Sequence, residues 1–241
     1  MTTRTRATTI SSLIPMPAPL PVADHYAERV RQLAALHAGM MACQHCVVAG
    51  YLPRAAAVAG YRGRIGDRLL LVGQAPGRLS VEHGEPFSGP GGRVLERWLD
   101  QAGFSLGALR REVYLSALTK CDPGRSPRGD GDRRPSAPEL ALCRPFLLRE
   151  LELVRPQVIL LVGGMAITAF LGPQRLEEIV GTYTERNGVY LLPLPHPSGV
   201  SRWLNEPSHQ ALVDRALAQL ARWRATWEQE EDAGAGNAPT P

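Results

Sequence analysis

Residues 68–77 of the 241-residue chain are RLLLVGQAPG, an apolar run that ends abruptly in glycine and proline. Such a run predicts a buried parallel strand that leads into a loop over its carboxyl end. Three further runs, at 113–118, 158–162 and 189–194, have the same character. Because helical patterns alternate with them, we predict an α/β fold, a single three-layer α/β/α domain with a mostly parallel central sheet.

The helices and the domain limits follow from the spacing of apolar residues around these strands. Helices are predicted at 25–41, 92–102, 137–154, directly after Gly163-Gly164, and at 208–227. We predict a folded domain at 24–227, a proline-broken disordered arm at 1–23 and a disordered tail at 228–241. Ligands of such a fold are expected at the carboxyl ends of the strands.

The composition is that of a soluble globular protein, with 44% hydrophobic and 21% charged residues. No apolar run reaches the roughly 20 residues of a membrane-spanning helix, so no membrane partner is expected. The net charge is +4, and Lys120 is the only lysine among 27 basic residues. Coding bias is the favoured explanation for the excess of arginine, and selection for forked phosphate contacts is the alternative. Since no secretory signal pattern is present, we expect a cytoplasmic monomer.

The four cysteines raise the question of metal binding. Cys43 and Cys46 are separated by two residues, Cys121 follows the second strand, and Cys143 lies in the next helix. Four ligands from separate segments fit either a 4Fe-4S cluster or a tetrahedral zinc ion. Buried thiols without a ligand are the third possibility. Disulfides are disfavoured for a protein that is not secreted.

A glycine-rich constellation follows the first strand, GQAPG at 73–77 and GEPFSG at 84–89. Glycines at both ends of such a loop let backbone amides approach a ligand closely. The loop lacks the G-x4-G-K-[ST] pattern of a phosphate-binding loop. A neutral Gln74 and an aromatic Phe87 suit a planar ring that carries amide groups, although Phe87 also suits ordinary core packing.

The last constellation is PHPSG at 195–199, directly after the fourth strand. Two prolines nearly fix the backbone of His196, as expected for a positioned catalytic group. The alternative is a structural or merely exposed histidine.

In this order, the segments resemble the uracil-DNA glycosylase superfamily, in particular its iron-sulfur branches, families 4 and 5. Residues 73–77 and 84–89 are similar to the family 4 motifs G-E-[AG]-P-G and G-R-P-F-[VS]-G, and His196-Pro197-Ser198 is similar to H-P-[SA]. The stretch YLSALTKC at 114–121, with CRP at 143–145, is similar to the segment with the third and fourth cluster ligands. The resemblance covers about residues 43–220.

The resemblance implies a DNA repair enzyme that flips out uracil, or another deaminated base, and hydrolyses its glycosidic bond to leave an abasic site. Its partner would be DNA that contains such a base, and its cofactor a 4Fe-4S cluster. The implied cluster ligands are Cys43, Cys46, Cys121 and Cys143. The implied catalytic residues are His196 and Gln74. The implied substrate-binding residues are Gly73, Gln74, Ala75, Phe87, Ala117, His196 and Ser198.

Two positions depart from the family 4 pattern. Gln74 stands where family 4 has Glu, and Ala117 stands where it has Asn, as in family 5. We therefore expect a neutral His196 to stabilise the departing uracil anion, while Gln74 only orients a water molecule. Glu82 and His83 are candidates to replace the missing base.

The same departures support an alternative function, an iron-sulfur DNA-binding protein that retains the uracil pocket but does not turn over, or that traps the sugar covalently. Covalent trapping is expected to need an Arg-rich insertion ending in His near the pocket. Residues 88–105 contain no such insertion.

Two further segments are candidate DNA contacts. Arg202 and Leu204 are predicted to contact phosphate and to occupy the vacated base site, respectively, with Trp203 as the other wedge candidate. Packing of Trp203 into the core is the alternative. The arginines of 125–134 are candidates to contact the DNA backbone, and a solvated loop beside the cluster is the alternative.

Overall fold

The computed structural model describes residues 13–16, 26–58, 64–127, 131–197 and 202–235. The helices are α1 Tyr26–Ala42, α2 His45–Val48, α3 Arg78–His83, α4 Pro90–Gln101, α5 Ala108–Arg111, α6 Ala137–Val154, α7 Gly164–Leu171, α8 Leu176–Ile179 and α9 Pro207–Ala235, with a 3-10 helix at Arg202–Asn205. The strands are β1 Leu69–Gly73, β2 Val113–Ala117, β3 Val158–Val162, β4 Thr184–Arg186 and β5 Val189–Leu194.

The strands form one sheet in the order β2-β1-β3-β5-β4. Four of the strands, β2, β1, β3 and β5, are parallel to one another. Strand β4 lies at the edge of the sheet and pairs antiparallel with β5. Gly73 pairs with Ala117, and Val162 pairs with Leu194, so the parallel strands end level with one another. The predicted mostly parallel sheet is confirmed, and its carboxyl edge collects the loops that the sequence singled out.

The two faces of the sheet are each covered by helices, which makes three layers. Leu69 and Leu71 of β1 belong to a core with α4, α5 and α9. Leu70 and Val72 belong to a second core with α6 and α7. Because both faces are buried, the strands are continuous apolar runs with no alternation of polar residues.

Strand β4 was not predicted, although the sequence contains a signal for it. Asn187 and Gly188 join β4 to β5, and both have positive φ, 52° and 77°. Positive φ at both central residues is typical of the two-residue hairpin turn in which Asn-Gly is preferred. The turn adds an antiparallel strand beyond the last parallel one.

The predicted domain limits need correction at both ends. Helix α9 extends to Ala235, and the Arg68 guanidinium pairs with Glu230 at 2.5 Å, so the tail does not begin at 228. Ile14 is buried, and its N–H donates to the Ala169 carbonyl at 2.8 Å, so the arm is not wholly disordered. Within the described ranges, no helix is long and apolar enough to cross a membrane.

Candidate active site

The carboxyl ends of the parallel strands surround one cleft. One part of it lies between the loop after β1, the N-terminus of α4 and the end of β2, and holds about 1010 Å3, including its open mouth. A second part lies against Val162 and Gly163 at the end of β3. Ala75, Asp132 and His196 line both parts, so the two form a single site. Its size is sufficient for a nucleotide-sized ligand.

Phe87 lines this cleft in an unusual backbone conformation. Its φ is 55°, which bulky residues rarely adopt. The fold makes room at two glycines: a β-carbon at Gly92 would lie 1.7 Å from the Phe87 carbonyl oxygen, and one at Gly73 would lie 3.0 Å from the ring. The half-buried ring both packs against the core and faces the cleft. Its position therefore suits both contact with a planar ring and core packing, the two roles that the sequence offered for Phe87.

Neighbouring contacts hold the Phe87 turn in place. The Arg110 guanidinium donates to the Pro86 carbonyl at 3.0 Å and lies 3.5 Å from the Glu85 carboxylate. The Ser88 hydroxyl donates to the Glu85 carbonyl at 2.6 Å. A residue in a sparsely populated backbone region costs about 1–3 kcal/mol, and such strain is concentrated at functional sites.

His196 enters the cleft directly after β5, between two buried prolines. A β-carbon at Gly163, whose φ is 88°, would lie 3.3 Å from the His196 ring, so the bare glycine lets the imidazole lie against the end of β3. The ring is exposed to the cleft, but the cleft walls displace enough water to lower the pKa of His196 below its ordinary 6.5. The imidazole is therefore neutral at pH 7 and offers one N–H donor.

Gln74 leaves β1 at the same edge, half-buried in the second part of the cleft. Its side-chain amide donates to the Arg133 carbonyl at 3.3 Å. Its backbone carbonyl accepts the Thr119 N–H at 3.3 Å, which continues the pairing of β1 with β2. The amide thus ties the first loop to residue 133.

Asp132 was not identified from the sequence. Residues 124–126 and 131–133 pair with each other, with the Ser126 N–H donating to the Gly131 carbonyl and the Arg133 N–H to the Gly124 carbonyl, both at 2.8 Å. This pairing directs Asp132 into the cleft. A β-carbon at Gly77 would lie 2.6 Å from its carboxylate oxygen. No local pattern marks this aspartate, because its position depends on the pairing.

The other residues predicted near the base differ in their placement. Ala75 and Ala117 line the cleft, and Gly73 lies under the Phe87 ring. Ser198 lies outside the described residues. Glu82 and His83 are exposed and do not line the cleft, and Glu82 instead pairs with Arg78 at 2.5 Å.

The predicted DNA contacts lie beyond Pro197. Leu204 is half-buried and lines a groove next to this proline. Trp203 stacks on His209 at 4.1 Å, and its indole N–H donates to Glu177 at 2.9 Å, so it is held in the fold as the alternative proposed. The backbone of Arg202 begins the 3-10 helix, and its side chain lies outside the described part of the chain.

The four cysteines line one pocket, next to the N-terminus of α6 and apart from the cleft. Burial raises the pKa of the Cys143 thiol to about 12, and burial together with the neighbouring cysteines raises the pKa of Cys46. The Lys120 N–H donates to the Cys143 sulfur at 3.2 Å. Among the described residues, no three His, Cys, Asp or Glu side chains form a group arranged to hold a metal ion.

A buried polar network connects the two sites. The Lys120 ammonium donates to the Glu150 carboxylate at 2.6 Å and to the Ser116 hydroxyl at 2.8 Å, and Ser116 itself lines the cleft. Glu150 also accepts from the Ser116 and Tyr114 hydroxyls. A buried charge is tolerated when it is paired and fully hydrogen-bonded. Lys120, the only lysine of the chain, therefore links the end of β2 to the cysteine pocket.

The sequence was compared with protein families and with known proteins. The family described as the Uracil DNA glycosylase superfamily matches residues 61–221. A Type-4 uracil-DNA glycosylase of Thermotoga maritima is 29% identical over 163 residues, which are 66% of this chain and 78% of that protein. One of Saccharolobus solfataricus is 32% identical over 121 residues, half of each chain. One of Archaeoglobus fulgidus is 37% identical over 98 residues, 41% of this chain and 44% of that protein.

The matched range runs from the segment before β1 into α9, so it contains every strand of the sheet and both Phe87 and His196. It covers well over half of the sequence. The chain therefore belongs to the uracil-DNA glycosylase superfamily.

Proposed function

We propose that the protein is a DNA repair glycosylase that hydrolyses the glycosidic bond of deoxyuridine in DNA, releasing uracil and leaving an abasic site. The observation that carries this proposal is that Phe87 and His196, from distant parts of the sequence, line the same strand-end cleft. The relatives named Type-4 uracil-DNA glycosylase support the same substrate.

The base enters the cleft after it leaves the duplex stack. Phe87 stacks on its face, and the backbone at Gln74 and Ala75 binds its edge. Ala117 at the end of β2 leaves space where a larger side chain would intrude. Aromatic stacking accepts any planar base, so the edge contacts provide the selectivity.

His196 then lowers the energy of the departing group. The bond from the sugar to uracil N1 breaks with its electron pair on the base, so negative charge develops on the uracil carbonyl oxygens. A neutral imidazole N–H directed at that charge stabilises the transition state more than the ground state. Since its lowered pKa keeps the ring neutral, His196 does not need to change its charge to act.

The cysteine pocket suits a 4Fe-4S cluster, and flanking residues similar to those of the iron-sulfur branches favour the cluster over a zinc ion. Four cysteines from separate segments line the pocket, and four thiolates are the ligands of a cubane cluster. It would supply positive charge to thiols whose pKa values burial raises, and Cys43, Cys46, Cys121 and Cys143 would hold it.

The DNA backbone contacts the positive rim of the cleft. Arg78, Arg125 and Arg134 are exposed there. Guanidinium groups on a rim neutralise phosphates without reading sequence, so affinity is expected to fall steeply with salt concentration. Leu204, in the groove beyond Pro197, enters the space that the flipped base leaves.

The direct test is an excision assay. Purified protein is incubated with duplex and single-stranded oligonucleotides that contain one uracil, hypoxanthine or mismatched thymine, and alkali-labile sites are measured. The protein is expected to excise uracil with multiple turnovers. Tight binding without release of uracil, or a covalent adduct with the sugar, would favour the non-catalytic or trapping protein instead.

Replacement of Phe87 tests the stacking role. Phe87→Ala is expected to weaken binding of abasic DNA together with uracil by about 1–3 kcal/mol, the range for loss of a base-aromatic stack. Phe87→Leu keeps an apolar side chain against the core and is expected to lose most of the same affinity. Phe104→Leu, a buried change in the same core, is the control, since it should lower thermal stability without changing affinity. Unchanged affinity in a folded Phe87→Ala variant would make Phe87 only a core residue.

A further inference from the structure

The cleft contains a carboxylate that the predicted mechanism did not include. Among the described residues that line either part of the cleft, Asp132 is the only acidic side chain, and it lines both parts together with His196. It is exposed to the cleft and lies against Gly77, where any β-carbon would meet its oxygen at 2.6 Å. The backbone N–H of Arg78 donates to this carboxylate.

The segment that carries Asp132 is anchored on both sides. The Arg133 guanidinium donates to both Glu139 carboxylate oxygens, at 2.8 and 2.7 Å, which joins residue 133 to the first turn of α6. On the other side, the Gln74 amide donates to the Arg133 carbonyl. A glutamate at position 74 has no N–H to offer this carbonyl. Gln74 stands where family 4 has a glutamate, so the first loop has no carboxylate at this position. The Gln74 amide instead helps to hold another carboxylate, Asp132, in the same cleft.

We propose that Asp132 is the carboxylate that takes a proton from the attacking water during uracil excision. The inference rests on the proposed function. In this step the bond between C1′ and uracil N1 breaks, and its electron pair leaves with the base. A carbonyl oxygen of the base accepts a hydrogen bond from the His196 N–H. The water oxygen bonds to C1′, and one water proton passes to Asp132. The carboxylic acid then returns that proton to the uracil anion through solvent.

The charges around Asp132 suit this role. Burial and the nearby Asp122 raise the pKa of Asp132 above its ordinary 3.8, while Arg125 and Arg78 lower it. Arg134 and His196 line the same part of the cleft. In its ionised form the carboxylate also stabilises positive charge on the sugar. A base whose pKa moves toward the working pH accepts a proton more readily.

The kinetic test is Asp132→Asn, which keeps the size of the side chain and an oxygen acceptor for the Arg78 N–H. Single-turnover excision is expected to fall about 100-fold, at the lower end of the range for general-base catalysis. The effect is at this lower end because cleavage of the glycosidic bond runs ahead of the attack by water. The wild-type rate should also decline as the pH falls through the pKa of Asp132, and this decline should disappear in the variant. A matched control is Asp100→Asn, which makes the same substitution at an exposed position near the end of α4 that does not line the cleft, and it should leave rate and pH profile unchanged.

A binding test does not depend on turnover. The probes are DNA that carries a cationic pyrrolidine abasic-site analogue and DNA that carries the neutral tetrahydrofuran analogue, each with free uracil. Wild-type protein should bind the cationic probe more tightly than the neutral one. In Asp132→Asn the ratio of the two affinities should fall about tenfold, while the neutral probe is bound at least as tightly as by the wild type.

The outcomes separate the two proposals. A wild-type protein that releases no uracil contradicts the proposed function and, with it, the proton transfer to Asp132. The probe preference then decides only whether the Asp132 carboxylate faces a cationic sugar. A wild-type protein that excises uracil, with Asp132→Asn equal to it in rate, pH profile and probe preference, overturns the role of Asp132 alone. A merely structural role predicts lower thermal stability and weaker binding of both probes alike.

Discussion

His196→Ala is expected to lower single-turnover excision of uracil about 10²- to 10³-fold, as loss of one preorganised donor does. The imidazole is neutral, is held between two buried prolines and lies against Gly163, so its donor is already in place before the charge develops. DNA affinity should remain nearly intact, because the residue acts on the departing base and not on the phosphates. Rapid-quench kinetics under single-turnover conditions, with affinity measured in parallel, checks both statements.

Two variants bracket this result. His83→Ala removes an exposed histidine that does not line the cleft, and it should be silent. Gln74→Ala should cost less than His196→Ala, because it removes a neutral amide that supports residue 133. A nearly silent His196→Ala together with a severe Gln74→Ala would show that stabilisation of the leaving group is wrong and that positioning of water dominates.

Cys143→Ser is expected to abolish the broad absorption at about 400 nm of the anaerobically purified protein and the content of about four irons per chain. It should also lower the melting temperature by about 10 °C or more, since loss of a bound metal belongs to the most destabilising changes and 1 kcal/mol is worth about 2–4 °C at this size. The reason is that the four cysteines join segments far apart in the sequence, so the cluster cross-links the fold.

The control and the opposing result are equally specific. Ala141→Ser places the same hydroxyl on an exposed position of the same helix and should leave colour and stability unchanged. A colourless wild-type protein with stoichiometric zinc would contradict the cluster. If Cys143→Ser folds with wild-type stability, the cysteine pocket does not hold the structure together, whatever it binds.

Local sequence was sufficient for the elements that are buried on both sides. The runs at 69–73 and 158–162 are apolar throughout because helices cover both faces of the sheet, and such runs are unambiguous when glycine or proline follows them. Helix α6 was predicted at its observed bounds, where Ser136 and Glu139 form a capping box. The error at α9 arose because the acidic stretch after 227 was assigned to a tail, whereas it continues the helix and pairs with Arg68.

The sequence by itself determined the fold class, the family and the chemical groups that recur at motif positions, including Phe87, His196 and the four cysteines. Those signals are local, since a motif places its residues within a few positions of a strand end. Only the tertiary structure decided that Asp132 shares the cleft with His196 and that Lys120 lies buried against Glu150. Both depend on contacts between separate elements, a pairing across a loop in one case and the packing of α6 on β2 in the other, and no local pattern of residues encodes such distances.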